Sequence, residues 1–244
     1  MRLARRARVA LAQAAVVAAC GGHAPPHAAP APAPATRKVV EDAEPDDGVQ
    51  LTSESGHLDP AAIDAALAPH RAAMSRCYTQ KVGQRSWLGG RVVVQWQVGA
   101  DGATRSVRIT ESDLGAWPVE SCLLDVARQA VFAAPAGGAA ELSLPLELSV
   151  ARPLAASDDP AMRAAIDGQL AKLDACARGG AALPEDVALT IYLGPRGRAE
   201  SVGFASPREL DDGWRSCAEK AALGWRLPES RRRFTKLAVR YRPR

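Results

Sequence analysis

The chain has 244 residues, 47% of them hydrophobic and 24% charged, with a formal net charge of +4. That length holds one medium domain or two small ones, and the composition is that of an ordinary folded protein. The positive excess is mild and sits largely at the two ends, so the broad basic surface of a nucleic-acid binder is missing and no nucleic-acid partner is expected.

The first twenty residues read as a targeting segment. Arg2, Arg5, Arg6 and Arg8 open it, and residues 9–19 are a short, mostly apolar run interrupted by Gln13. The run is far below the roughly 20 residues that span a bilayer, which suits a removable signal. It ends in Val17-Ala18-Ala19-Cys20, which is similar to a lipobox with Val where Leu is usual. Cys20 is therefore the expected lipid-attachment residue; plain signal cleavage leaving a free thiol is the alternative. Residues 21–48 read as a disordered Ala/Pro-rich spacer, whose alternating Ala-Pro tract around Pro30, Pro32 and Pro34 favours extended polyproline II. His23 and His27 in this spacer are too isolated to suggest a metal tract. Acyl chains on a lipoprotein cysteine anchor it stably. The expected location is the cell envelope, and Gly21 after the cysteine favours the outer membrane's periplasmic face.

Behind the spacer the sequence repeats itself. Asp59-Pro60 and Asp159-Pro160 each open a helix, with Asp as N-cap and Pro at the first position. Ile63, Leu67 and Met74 recur at helical spacing up to Cys77; Met162, Ile166, Leu170 and Leu173 lead likewise to Cys176. A hairpin follows in each copy. Val92, Val94, Trp96 and Val98 alternate with Val93, Gln95 and Gln97 before the turn Gly99-Ala100-Asp101-Gly102 and a return strand around Val107 and Ile109. In the second copy Val187, Leu189, Ile191 and Leu193 precede Gly194-Pro195-Arg196-Gly197, and Val202 and Phe204 return the chain. Each copy then has a tryptophan, a cysteine and a short helix (Trp117 and Cys122; Trp214 and Cys217) and a last strand, Leu142 to Val150 and Leu237 to Tyr241. Pro145 donates no ladder bond, so its strand is expected at an edge or beside a bulge.

The expected fold class is α+β, with two tandem domains over 49–152 and 153–244. Each runs α-β-β-α-β with a small antiparallel sheet and helices on one face. Cys20 apart, the remaining cysteines fall two per copy at matched places. The natural pairing is Cys77–Cys122 and Cys176–Cys217, one of three connectivities, and an oxidising periplasm permits it. Zinc would call for close-spaced ligand pairs and a redox enzyme for CxxC; neither pattern is present, nor is a phosphate loop or GxSxG. His57 and His70 are the only histidines of the folded body, and neither suggests a nucleophile's partner. A non-enzymatic protein without cofactor or metal is expected.

The stretch 49–148 resembles the C-terminal domain of the AgmX/PglI gliding-motility proteins, which is similar to the TonB C-terminal domain. The residues that carry the likeness are the helix start from Leu58-Asp59 to Ile63, Arg76-Cys77-Tyr78, Gly90-Arg91-Val92-Val93-Val94, Asp101-Gly102 and Cys122, followed by Phe132, Pro135, Gly137-Gly138 and Leu144-Pro145-Leu146. The second copy keeps only the skeleton: Cys176 lacks the Arg and Tyr neighbours, and the Gly-Gly pair is missing. The resemblance implies a TonB-like fold and a role linked to gliding motility or envelope trafficking. It also implies envelope-protein partners bound by strand addition. Arg231, Arg232, Arg233, Lys236, Arg240 and Arg242 on and before the last strand are the candidate partner-binding residues. They offer a basic site for an acidic partner, an anionic headgroup or a cell-wall polymer; protection of an edge against unwanted pairing explains the same charges. The competing expectation is a ligand carrier or enzyme using a cleft between the copies, with Glu111, Asp113 and Glu120 as the scattered ionisable candidates.

Overall fold

The computed structural model describes residues 50–51, 56–148, 154–177, 183–229 and 233–243. Cys20, Arg231 and Arg232 lie outside them. The elements run β1 (Gln50–Leu51), α1 (Pro60–Val82), β2 (Gly90–Val98), β3 (Thr104–Ser112), α2 (Trp117–Ala127) and β4 (Ala140–Leu148) in a first unit. The second holds α3 (Pro160–Leu170), a 3-10 segment (Ala171–Ala177), β5 (Val187–Leu193), β6 (Ala199–Ala205), α4 (Asp212–Leu223) and β7 (Thr235–Tyr241). Both units are α+β with a small antiparallel sheet, in strand orders β1-β4-β2-β3 and β6-β5-β7. In each, the hairpin's first strand lies between its second strand and the unit's last strand.

Local chemistry sets the element ends. Asp59 and Asp159 accept the backbone N–H of Ala61 and Ala161 at 3.3 and 2.9 Å, satisfying first-turn donors. Pro69 sits within α1 on its exposed side, where the carbonyl deprived of a helical bond is open to solvent. The second unit's first helix is shorter than its apolar spacing predicts. It ends at Leu170 and tightens into the 3-10 segment. Leu170, Leu173 and Cys176 are three residues apart, and three-per-turn winding stacks them on one buried face. Pro145 lies on a strand flanked by β1, but β1 pairs only with Leu142 and Ser143. Among the described residues the outer side of β4 at Pro145 has no pairing strand.

Helix α1 packs on α2, and α2 lies against β2 and β3; α4 lies against β6 and the 3-10 segment. The disulfides Cys77–Cys122 and Cys176–Cys217 are both formed, each joining the two helical segments of its unit. Trp96 is fully enclosed and donates its indole N–H to the Ala127 carbonyl at 2.8 Å, tying sheet to helix. The buried apolar side chains of both units, from Leu58 to Tyr241, form one continuous cluster. At about 2 kcal/mol for each fully buried Leu or Ile, that cluster is the main stabilising element, and both units draw on it.

Candidate functional site

The two units meet through the connection between β3 and α2. Ser112, Asp113, Leu114 and Gly115 enter the face of the β5–β6–β7 sheet opposite its own helices. Thr190 donates its hydroxyl to the Ser112 carbonyl at 3.2 Å, and Ser201 to the Gly115 carbonyl at 2.6 Å. Tyr192 reaches across to the Gly89 carbonyl at 3.1 Å, and the Ser206 N–H reaches the Ile109 carbonyl at 2.8 Å. Gly115 has φ +66°, and a Cβ there would come within 2.8 Å of Thr190; only glycine fits both the turn and the approach.

Glu120, from α2, is the one charged-type side chain at this junction with no exposure at all. Its Oε2 accepts the Phe204 N–H at 2.8 Å, and its Oε1 lies 2.7 Å from the Ser112 hydroxyl. The slot exists because residue 203 is glycine: a Cβ there would stand 2.2 Å from Oε1. Burial pushes the carboxyl up to about 7, against the downward pull of the Ser112 hydroxyl and of the Phe204, Ala116 and Gly115 amides. Beside it Trp117 meets Phe204 edge-on at 5.8 Å and carries the Arg215 guanidinium over its face at 4.9 Å.

The predicted basic site is divided by this junction. Lys236 is not a surface residue: its side chain is 4% exposed, its ammonium donates to Asp113 Oδ2 at 2.9 Å, and it lies over the Tyr192 ring at 5.7 Å. The alternation of β7 points it inward because the first unit covers that end of the sheet. Arg240 and Arg242, further along the same face, remain exposed and share one carboxylate, Asp186, at 2.5 and 3.7 Å. Arg233 is exposed and lines a separate groove with Leu154, Met162 and Phe234. The four described basic candidates therefore do not form one patch.

The outer edge of β7 is partly open. Ser157 donates its N–H to the Lys236 carbonyl at 2.7 Å, so Lys236 turns its backbone groups outward. By strand alternation Ala238 and Arg240 do the same, and among the described residues no backbone group pairs with them. This stretch, with residues 188–190 of β5, lines a groove of about 510 Å³ that Arg163 and Asp167 of α3 and Ser112 and Asp113 also border.

Of the ionisable groups named for a cleft, Asp113 and Glu120 converge between the units, whereas Glu111 stands on the exposed run of β3. Convergence does not make a cleft here, since Glu120 is sealed and Asp113 is spent on Lys236 and on the Arg91 N–H. Sequence reading missed Thr190, Tyr192 and Ser201. For Thr190 and Tyr192 the signal was the near-continuous burial-prone run Val187–Leu193, which suits a strand covered on both faces. Among the described residues no group of three or more His, Cys, Asp or Glu is arranged to hold a metal, and no helix is long and apolar enough to cross a membrane. No family model matches the chain, and no curated protein or solved structure matches it either.

Proposed function

We propose that the chain is a non-enzymatic, lipid-anchored envelope protein that binds a partner protein by strand addition along β7. In this reading the units are tandem TonB-C-like domains of the AgmX/PglI kind, held to the membrane through Cys20. The observation that carries it is the outward-facing stretch of β7 at Ala238 and Arg240, whose N–H and C=O groups have no backbone partner among the described residues and which borders a groove. An extended segment of the partner takes up these groups as an added strand. Arg240 and Arg242, two cations to one Asp186, leave a small positive excess beside the edge, which favours an acidic segment.

Ala238→Pro tests this. Ala238 opposes Thr190 in a pair whose backbone groups point away from each other, so proline removes the outward donor and leaves the β5 ladder whole. Partners identified by in-cell crosslinking to the native protein are expected to be lost from a folded Ala238→Pro variant. The same partners at the same yield would end the strand-addition reading.

A further inference from the structure

We propose that Glu120 is a proton-operated latch between the two units, holding them docked when neutral and loosening the junction when ionised. The argument is first one of geometry. Glu120 comes from the first unit and its carboxyl is seated in the second, against the Phe204 amide and in the space left by Gly203. The Ser112 hydroxyl, whose oxygen accepts the Leu114 N–H, donates to Oε1, and the Phe204 N–H donates to Oε2, so two neutral donors hold the carboxyl inside an enclosure that water does not reach.

Ionisation leaves a fully enclosed negative charge, and among the described residues none of the surrounding elements supplies a cation to it. On β7, Lys236 is committed to Asp113. On α4, Arg215 is committed to Asp212 and the Trp117 ring. Across the sheet, Tyr192 of β5 is a phenol pushed up to about 12 and stays neutral, and β6 offers only the Ser201 hydroxyl and backbone amides. Asp113, in the β3–α2 connection, is itself anionic. Opening the junction admits water to the carboxylate, so the open form gains on the docked form as the proton leaves.

The size of the effect follows from the displacement of the carboxyl from its usual 4.5 to about 7 when docked. With the usual value restored on opening, the equilibrium constant for opening rises about 25-fold between about pH 5.5 and pH 8. Hydrogen exchange of the full chain, corrected for the intrinsic pH dependence of exchange, reads this directly. The Phe204 and Ser206 amides, which bond across the junction, are expected to lose protection by that factor, while amides of the β2–β4 ladder keep theirs. Glu120→Gln accepts from the Phe204 N–H through its carbonyl and donates to the Ser112 oxygen through its amide, but carries no charge at any pH, and its junction amides are expected to show no pH response. The proposal is overturned by an unchanged response in Glu120→Gln, or by equal loss in the β2–β4 amides. If that variant does not fold, native-chain protection at Phe204 and Ser206 that stays flat across the same range overturns it.

Discussion

Replacing Cys176 and Cys217 together by alanine tests whether the two units fold as one. The bond closes a chain segment with a sequence separation of 41, against 45 for Cys77–Cys122. In the chain-entropy account, loops of these lengths each remove about 4 kcal/mol of conformational freedom from the unfolded chain. Packing adds little to the difference, since Cys176 is buried and Cys217 only half-buried. Either loss is thus expected to lower stability by about 4 kcal/mol, or roughly 8–16 °C in melting temperature. The continuous core decides how that loss appears. Because Val202, Phe204 and Tyr192 lie in one apolar cluster with Trp96 and Leu124, the Cys176/Cys217 variant should still unfold in a single transition, at lower denaturant. Urea unfolding followed by tryptophan fluorescence and far-ultraviolet dichroism checks this, because tryptophans stand in both units: Trp96 and Trp117 in the first, Trp214 and Trp225 in the second. Two separated transitions, with only the later repeat displaced, would refute the common core; a loss under about 1 kcal/mol would refute the entropy argument.

Two further outcomes follow from single positions. Gly168 in α3 has nothing within 4 Å of where a Cβ would stand, so Gly168→Ala should raise stability by about 0.5–1 kcal/mol, read as a higher urea midpoint at unchanged slope. The Asp113–Lys236 pair is lopsided, with Asp113 57% exposed and Lys236 4%. Asp113→Ala strands a buried ammonium and should cost about 3 kcal/mol or more, whereas Lys236→Met leaves a carboxylate that water can reach and should change stability by about 1 kcal/mol or less. Equal costs for the two in the same unfolding assay would mean that the ammonium reaches water by another route.

Much of the fold is legible in the amino-acid sequence. The Asp-Pro helix starts, the Gly-bounded hairpins and the cysteine pairing all rest on local rules that tertiary packing did not override. What sequence could not show was which face of a strand meets the other unit. Lys236, Arg240 and Arg242 look alike along β7, and only the docking of residues 112–115 separates the buried cation from the exposed pair. Glu120 was legible as an ionisable residue near a helix start. Its enclosure was not, because the slot is made by Gly203, more than eighty residues away in the chain.

The difference in sequence between the two similar units has a physical reason in this junction. Aligning the hairpins on Gly102 and Gly197 sets Gln95, Gln97 and Arg108 of the first unit opposite Thr190, Tyr192 and Gly203 of the second. In the first unit these positions face outward: Gln97 is exposed, Gln95 bonds Ser143 at 3.2 Å, and Arg108 pairs with Glu141 at 3.0 Å. In the second they form the receiving surface, where Thr190 and Tyr192 are buried and Gly203 admits Glu120. One unit has a solvated sheet face where the other has an interface. Exchanging the aligned residues between the two units should therefore have unequal effects. Arg108→Gly removes a partly exposed ion pair and puts glycine in a strand, a cost of about 1–2 kcal/mol. Gly203→Arg places the first unit's side chain where the Glu120 carboxyl and the Phe204 amide now meet. It expels a packed helix residue and should cost about 4 kcal/mol or more. Urea unfolding of the two variants side by side measures the difference, and comparable losses would show that the two sheet faces are equivalent after all.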